Sequence, residues 1–317
     1  VAENLTSIVG TVAGLAGATG GIAVGVSLLR RRARPYLPGG HALAGPRDAD
    51  PLPAVLELGL AGLTVPVRPG PHGELYIGPG NPQPGRTLRR LVLSPLFDRA
   101  RSGHGQLCAD QRVPFRLVVE IGGPSRDAAT LLRAYRKLDQ QLRDHAPLLS
   151  RYADGRLEPG AVTVAVAGIV DVRELLAAQP TRYAFVDGSF DDIGAPLAPS
   201  TLVPMISEPW SRRFGWDGRD AISAEERHQL HGLVRAAHDD GRTVRITGLP
   251  GGSRAARRAV WNELAAAGVD VIADADQVAL ARYLRRHPIP RPVPAPRPPV
   301  VKPARRTPPR PSAKVNG

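Results

Sequence analysis

Between residues 37 and 286, short runs of β-branched and apolar residues alternate with amphipathic stretches, and this alternation constrains the fold more than any other feature of the chain. The strand-like runs are 37–43, 62–67, 115–121, 161–167, 183–187, 202–207, 243–247 and 269–273. The helical stretches are 51–60, 87–101, 126–146, 171–178, 223–240, 254–267 and 275–286. Short apolar runs separated by helix-length segments build βαβ units, because two parallel neighbours need a long crossover between them. Eight strands in such a series, over a segment of about 250 residues, predict an α/β fold of the (β/α)8 TIM-barrel type. Ser125 and Ser253 stand where helices start, and Gly59, Gly241 and Gly268 where they stop. The piece from His72 to Gly78 reads as a hairpin-like insertion, and 188–201, where the fifth helix belongs, reads as loop. An open doubly wound sheet is the alternative, but the glycine-rich first turn it usually carries is missing.

Chemistry in such a barrel sits where strands end and loops begin. The positions to weigh are therefore His41, Thr64 to Arg68, Glu120, Asp187, Ser207 to Trp210, Thr247 to Gly252, and Asp274. The single cysteine, Cys108, excludes an internal disulfide and any cysteine-based zinc or iron–sulfur site.

The barrel accounts for residues 37–286 and leaves two flanks of different character. Residues 5–29 carry no charge and are followed at once by Arg30, Arg31 and Arg32. A helix of that length reaches about 37 Å at ~1.5 Å per residue, more than a bilayer's hydrocarbon core of about 30 Å. A secretory signal has its positive charge before the apolar run, so the reversed order predicts a single-pass transmembrane anchor in residues 1–36, with the barrel on the cytoplasmic side of the cell membrane. Gly17, Gly21 and Gly25 recur at the four-residue spacing that lets two such helices pack closely, the basis for an expected homodimer. The plain alternative is a weakly apolar helix lying on the body.

Residues 287–317 form a Pro/Arg tract with too few apolar residues to bury, expected to be a disordered, solvated tail near anionic lipid or an acidic partner. The net charge of +13 sits mainly in these flanks: residues 1–40 carry +3 and residues 287–317 carry +7, leaving the body nearly balanced. With no aromatic residues interleaved in the tail, a nucleic-acid partner is not expected.

The motifs His41-Ala42-Leu43-Ala44, Pro51-Leu52-Pro53-Ala54-Val55-Leu56, Leu63-Thr64-Val65-Pro66-Val67 and Gly73-Glu74-Leu75-Tyr76-Ile77-Gly78-Pro79 follow one another through the first third. Further along come Gly85-Arg86-Thr87-Leu88, Leu175 to Pro180, Pro204-Met205-Ile206-Ser207, Ala259 to Leu264 and Ala267 to Ile272. In this order the chain resembles the phospholipase C-like/glycerophosphodiester phosphodiesterase barrels, in particular the branch called altered inheritance of mitochondria. The resemblance covers nearly all of 41–285 and implies a TIM barrel. It also implies a phosphoric diester hydrolase of lipid metabolism, which holds Mg2+ or Ca2+ on carboxylates and moves protons with a histidine pair.

By the same match, the first histidine stands as His41, a residual general acid/base. The Asn-Asp after it is replaced by Ala42 and Leu43, the Glu and Asp of the second strand by Thr64 and Pro66, and the second histidine by Pro79. Glu120 falls where a third acidic ligand often stands. One carboxylate is a poor Mg2+ site, so the divalent-cation site is read as lost, no cofactor is expected, and the chain is read as a membrane-anchored pseudoenzyme or phosphodiester-binding module. An active phosphodiesterase rearranged around His41 and Glu120 is the first alternative, and an envelope scaffold the second.

Two local readings stay open at this level. Glu120, buried in the mouth, would need a partner such as Arg245. Gly251, Gly252, Ser253 and Arg254 stand before a helix, where backbone N–H groups can hold a phosphate or phospholipid head group; Ser253 would serve equally as a plain N-cap.

Overall fold

The computed structural model describes residues 35–45, 48, 50–78, 81–122, 127–168 and 172–289. The expected anchor with Gly17, Gly21 and Gly25, most of the tail, Ser125 and Pro79 lie outside these residues. Among the described residues no helix is long and apolar enough to cross a membrane.

Eight parallel strands pair in chain order: β1 (Gly40–Leu43), β2 (Gly62–Pro69), β3 (Phe115–Ile121), β4 (Val162–Ala167), β5 (Ala184–Gly188), β6 (Met205–Pro209), β7 (Thr243–Thr247) and β8 (Val271–Asp274). β1 pairs with both β2 and β8, which closes the sheet into a barrel without free edges. Its strands read as almost continuous apolar runs because both faces are covered. In β4, Val162, Val164 and Val166 face the helices while Ala165 faces inward, and all four are buried.

Helices follow most strands. They are α1 (Pro51–Leu58), α2 (Ser94–Ser102), α3 (Ala128–Arg143), α4 (Val172–Ala178), α5 (Ala224–Asp239), α6 (Arg254–Ala266) and α7 (Gln277–Arg286). Between β5 and β6 stands only a short turn, Phe190–Asp192, with a capping box on Ser189, so the loop expected at 188–201 is a loop. The Ser253 hydroxyl accepts the Ala256 N–H at 3.1 Å and starts α6. Gly59 ends α1 at φ 77°, where an added Cβ would also lie 2.3 Å from the Pro35 carbonyl oxygen.

Several expectations change. The first strand begins at Gly40, because residues 37–40 form a turn closed by the Gly40 N–H on the Leu37 carbonyl. The cap of α3 is Asp127, whose carboxylate accepts from the Ala129 and Thr130 N–H groups. A hairpin of Arg151–Ala153 with Arg156–Glu158 stands before β4 and was not expected. The piece from His72 to Gly78 is hairpin-like as expected, its strand Leu75–Ile77 running antiparallel to the end of β2.

The main core lies between the barrel and its helices, and a small separate cluster of Val118, Ala165 and Met205 fills part of the barrel interior. α7 returns to the end where β1 starts. There the Ile289 side chain lies against Gly39, whose absent Cβ would sit 2.7 Å from Ile289 Cδ1.

Candidate functional site

Inward positions alternate along each strand, so His41 of β1, Thr64 of β2, Asp187 of β5, Ser207 of β6 and Arg245 of β7 share the barrel interior. Arg245 is the hub. Its Nη2 donates to Asp187 Oδ2 at 2.8 Å, its Nε to Ser207 Oγ at 2.8 Å and its Nη1 to Thr64 Oγ1 at 2.8 Å. Nη1 also approaches His41 Nε2 at 3.1 Å, and the Ser207 hydroxyl donates to the other carboxylate oxygen of Asp187. The Arg245 and Asp187 side chains are only 4% and 7% exposed.

The same contacts fix the state of His41. A guanidinium only donates, so Nε2 accepts, and the Thr64 hydroxyl, itself accepting from Arg245, passes its own proton toward Nε2 at 2.8 Å. The imidazole proton therefore sits on Nδ1, which has no hydrogen-bond partner and faces Gly62. Burial, then the charges of Arg245 and Arg116, hold the His41 pKa well below the usual histidine range. His41 is fully buried, and its one unpaired nitrogen points at backbone rather than at the mouth.

Glu120 corrects the sequence reading. It stands at the exposed end of β3 instead of being buried, and Arg245 pairs with Asp187 instead. An inward register alone cannot bury a side chain that sits at the rim, past the last closed layer. Thr64 and Pro66 do lie on the inward register, with Pro66 opposite Glu120. Ala42 is buried in the outer core, and Leu43 lines the mouth.

The mouth holds a pocket of about 420 Å3 lined by Leu43, Gly248 to Gly251, Arg257 and Ala273 to Asp276. Its carboxylates are engaged. Asp274 accepts the Trp261 indole N–H and the Asp276 N–H, and Asp276 caps α7 and accepts from Arg257 Nη1 at 2.6 Å. Of the four residues expected to hold phosphate, only Gly251 lines this pocket. Gly252 is exposed beside it, Ser253 spends its hydroxyl on the helix start, and Arg254 turns into a groove between α6 and α7. Arg257, one turn further on, is the cation the sequence reading missed; its spacing from Ser253 was the available signal.

The resemblance implies Mg2+ or Ca2+, and the donor set does not fit it. Hard cations need several free oxygen ligands. Here both oxygens of Asp187, together with the Thr64 and Ser207 hydroxyls, are already bonded in a cluster whose centre is itself a cation, while Glu120 stands apart on the rim.

No protein-family model matches this sequence, and no curated protein matches it. Among solved structures the chain is similar to a glycerophosphodiester phosphodiesterase from Agrobacterium tumefaciens str. C58, at 15% identity over 78% of this chain and 100% of that one, with a TM-score of 0.39. It is also similar to a glycerophosphoryl diester phosphodiesterase from Parabacteroides distasonis ATCC 8503, at 14% identity over 80% and 88% of the two chains, with a TM-score of 0.47. Superpositions at this level carry no weight for the chemistry; the barrel stands on this chain's own strand pairing.

Proposed function

We propose that the chain is a phosphodiesterase-type barrel that binds a phosphodiester without hydrolysing it. The observation that supports this is the Arg245 hub. A guanidinium fixed among Asp187, Ser207, Thr64 and His41 supplies the positive charge of the interior and takes up the oxygens that a divalent ion would need. Proton transfer is equally disfavoured, since His41 is neutral, buried and turned away from the mouth. The ligand sits instead in the mouth pocket, where Arg257 and the backbone after β7 face an anionic oxygen. The motifs running from His41 to Ile272 favour the altered inheritance of mitochondria branch.

The charge-free stretch 5–29 followed by Arg30 to Arg32 supports a single-pass anchor with the barrel on the cytoplasmic side, and Gly17, Gly21 and Gly25 support pairing of two anchors. The deciding experiment measures binding and turnover together. Calorimetric titration with glycerophosphodiesters and inositol phosphates gives saturable heat, while bis-p-nitrophenyl phosphate is not cleaved with or without Mg2+ or Ca2+. Metal-dependent cleavage that disappears in His41→Ala overturns the non-catalytic half. Absence of heat across the whole set overturns the binding half and leaves a scaffold.

A further inference from the structure

Outside the barrel, α6 and α7 enclose a second concavity of about 410 Å3. Five arginines ring it: Arg254, Arg257 and Arg258 from α6, and Arg282 and Arg286 from α7. Its floor is aromatic, with the Trp261 and Tyr283 rings 5.1 Å apart, and Val278 at its edge is 54% exposed. One carboxylate, Asp276, reaches the groove, and Arg257 already holds it. Among the described residues Arg254, Arg258, Arg282 and Arg286 make no hydrogen bond or ion pair. The other arginines of these helices find partners: Arg257, in the groove, pairs with Asp276, and Arg285 donates to the Leu58 carbonyl. Four exposed guanidinium groups around one concavity sum to a positive potential that draws anions to it.

We propose that this groove docks the chain onto an anionic phospholipid surface through Arg254, Arg258, Arg282 and Arg286, the arginines it does not share with the mouth pocket. Guanidinium forks match phosphate oxygens in pairs, and an aromatic floor takes the glycerol and upper acyl region of a lipid. Arg286 ends α7, and residues 287–317, which follow it in the chain, hold seven basic residues and no acid, so groove and tail carry charge of one sign. An anionic bilayer is broad enough to meet both. A small soluble phosphate would fill the groove and leave the tail unused.

The test uses the full chain with vesicles of phosphatidylcholine alone or with 30% phosphatidylglycerol, at low and high salt. Cosedimentation is expected to be stronger with the anionic vesicles and to fall with salt. Each arginine near an anionic surface contributes about fivefold in binding, so Arg258→Gln, Arg282→Gln and Arg286→Gln together should weaken binding to anionic vesicles on the order of 100-fold. Binding to neutral vesicles, which reports the 5–29 segment, should stay unchanged. Circular dichroism checks that the triple variant is folded, and if it is not, each single variant is measured for its own fivefold loss. Equal binding of variant and wild type to anionic vesicles overturns the proposal. A chain that ignores phosphodiesters in calorimetry and still discriminates the two vesicles refutes the mouth reading alone.

Discussion

Replacing Arg245 by methionine removes the cation at the barrel's centre while keeping much of its volume. Two losses follow, and their sizes differ. The contacts to Thr64, Ser207 and His41 are hydrogen bonds from a charged donor, worth about 1.5–3 kcal/mol each, partly recovered when the hydroxyls re-pair with one another. The contact to Asp187 is different. That carboxylate is 7% exposed, so solvent does little to screen it, and the variant leaves a buried charge without its partner. Breaking such a pair from one side costs about 3–5 kcal/mol, and nothing in the variant recovers it. For a domain of this size, ~1 kcal/mol moves the melting temperature by about 2–4 °C, so Arg245→Met should melt about 6–20 °C below wild type.

The second half of a double-mutant cycle separates the two losses. Asp187→Asn added to Arg245→Met removes the stranded charge and keeps an oxygen for the Ser207 hydroxyl, so the double variant should regain at least half of the lost stability. Urea and thermal denaturation of all four proteins measure this. The reasoning is refuted if Arg245→Met lies within about 1 kcal/mol of wild type, or if the double variant is additively worse.

Other perturbations probe the same interior. His41 titrates below its unfolded value, so the unfolded chain binds the proton first. Stability from this group is complete above about pH 6.5 and falls by about 1.4 kcal/mol per pH unit below it, down to the depressed folded pKa. The slope between pH 6.5 and pH 5 in chemical denaturation should flatten in His41→Asn. Gly62→Ala places a Cβ 2.2 Å from His41 Nδ1 and 3.0 Å from the Arg116 carbonyl, and differential scanning calorimetry should report a loss of about 1–3 kcal/mol. Ser253→Ala should cost about 1 kcal/mol through the lost cap of α6, and it should leave phosphodiester affinity unchanged, since that hydroxyl is already bonded to Ala256.

The barrel was legible because its strands are buried on both faces and so stand out as unbroken apolar runs between amphipathic helices. Even the missing fifth helix could be read. The hairpin at 151–158 escaped because its strands are short and largely charged, although Asp154-Gly155, both at positive φ, is a recognisable tight-turn pair. At α3, Ser125 and Asp127 are both competent caps, and sequence gives no way to choose between them. The interior was legible only in part. Arg245 announced itself as a charge within an apolar strand, but its partner depended on how far each strand climbs the barrel. Glu120 and Asp187 both end their strands; one sits on the rim and the other inside, a distinction set by strand stagger around the closed sheet.

The meeting of Gly39 and Ile289 has a consequence for orientation. The described residues enter and leave the cylinder at one point, at the end where β1 starts, so a pull on either side of them acts on a single tether opposite the mouth. A body held at that end keeps its opening on the far side, clear of whatever holds it.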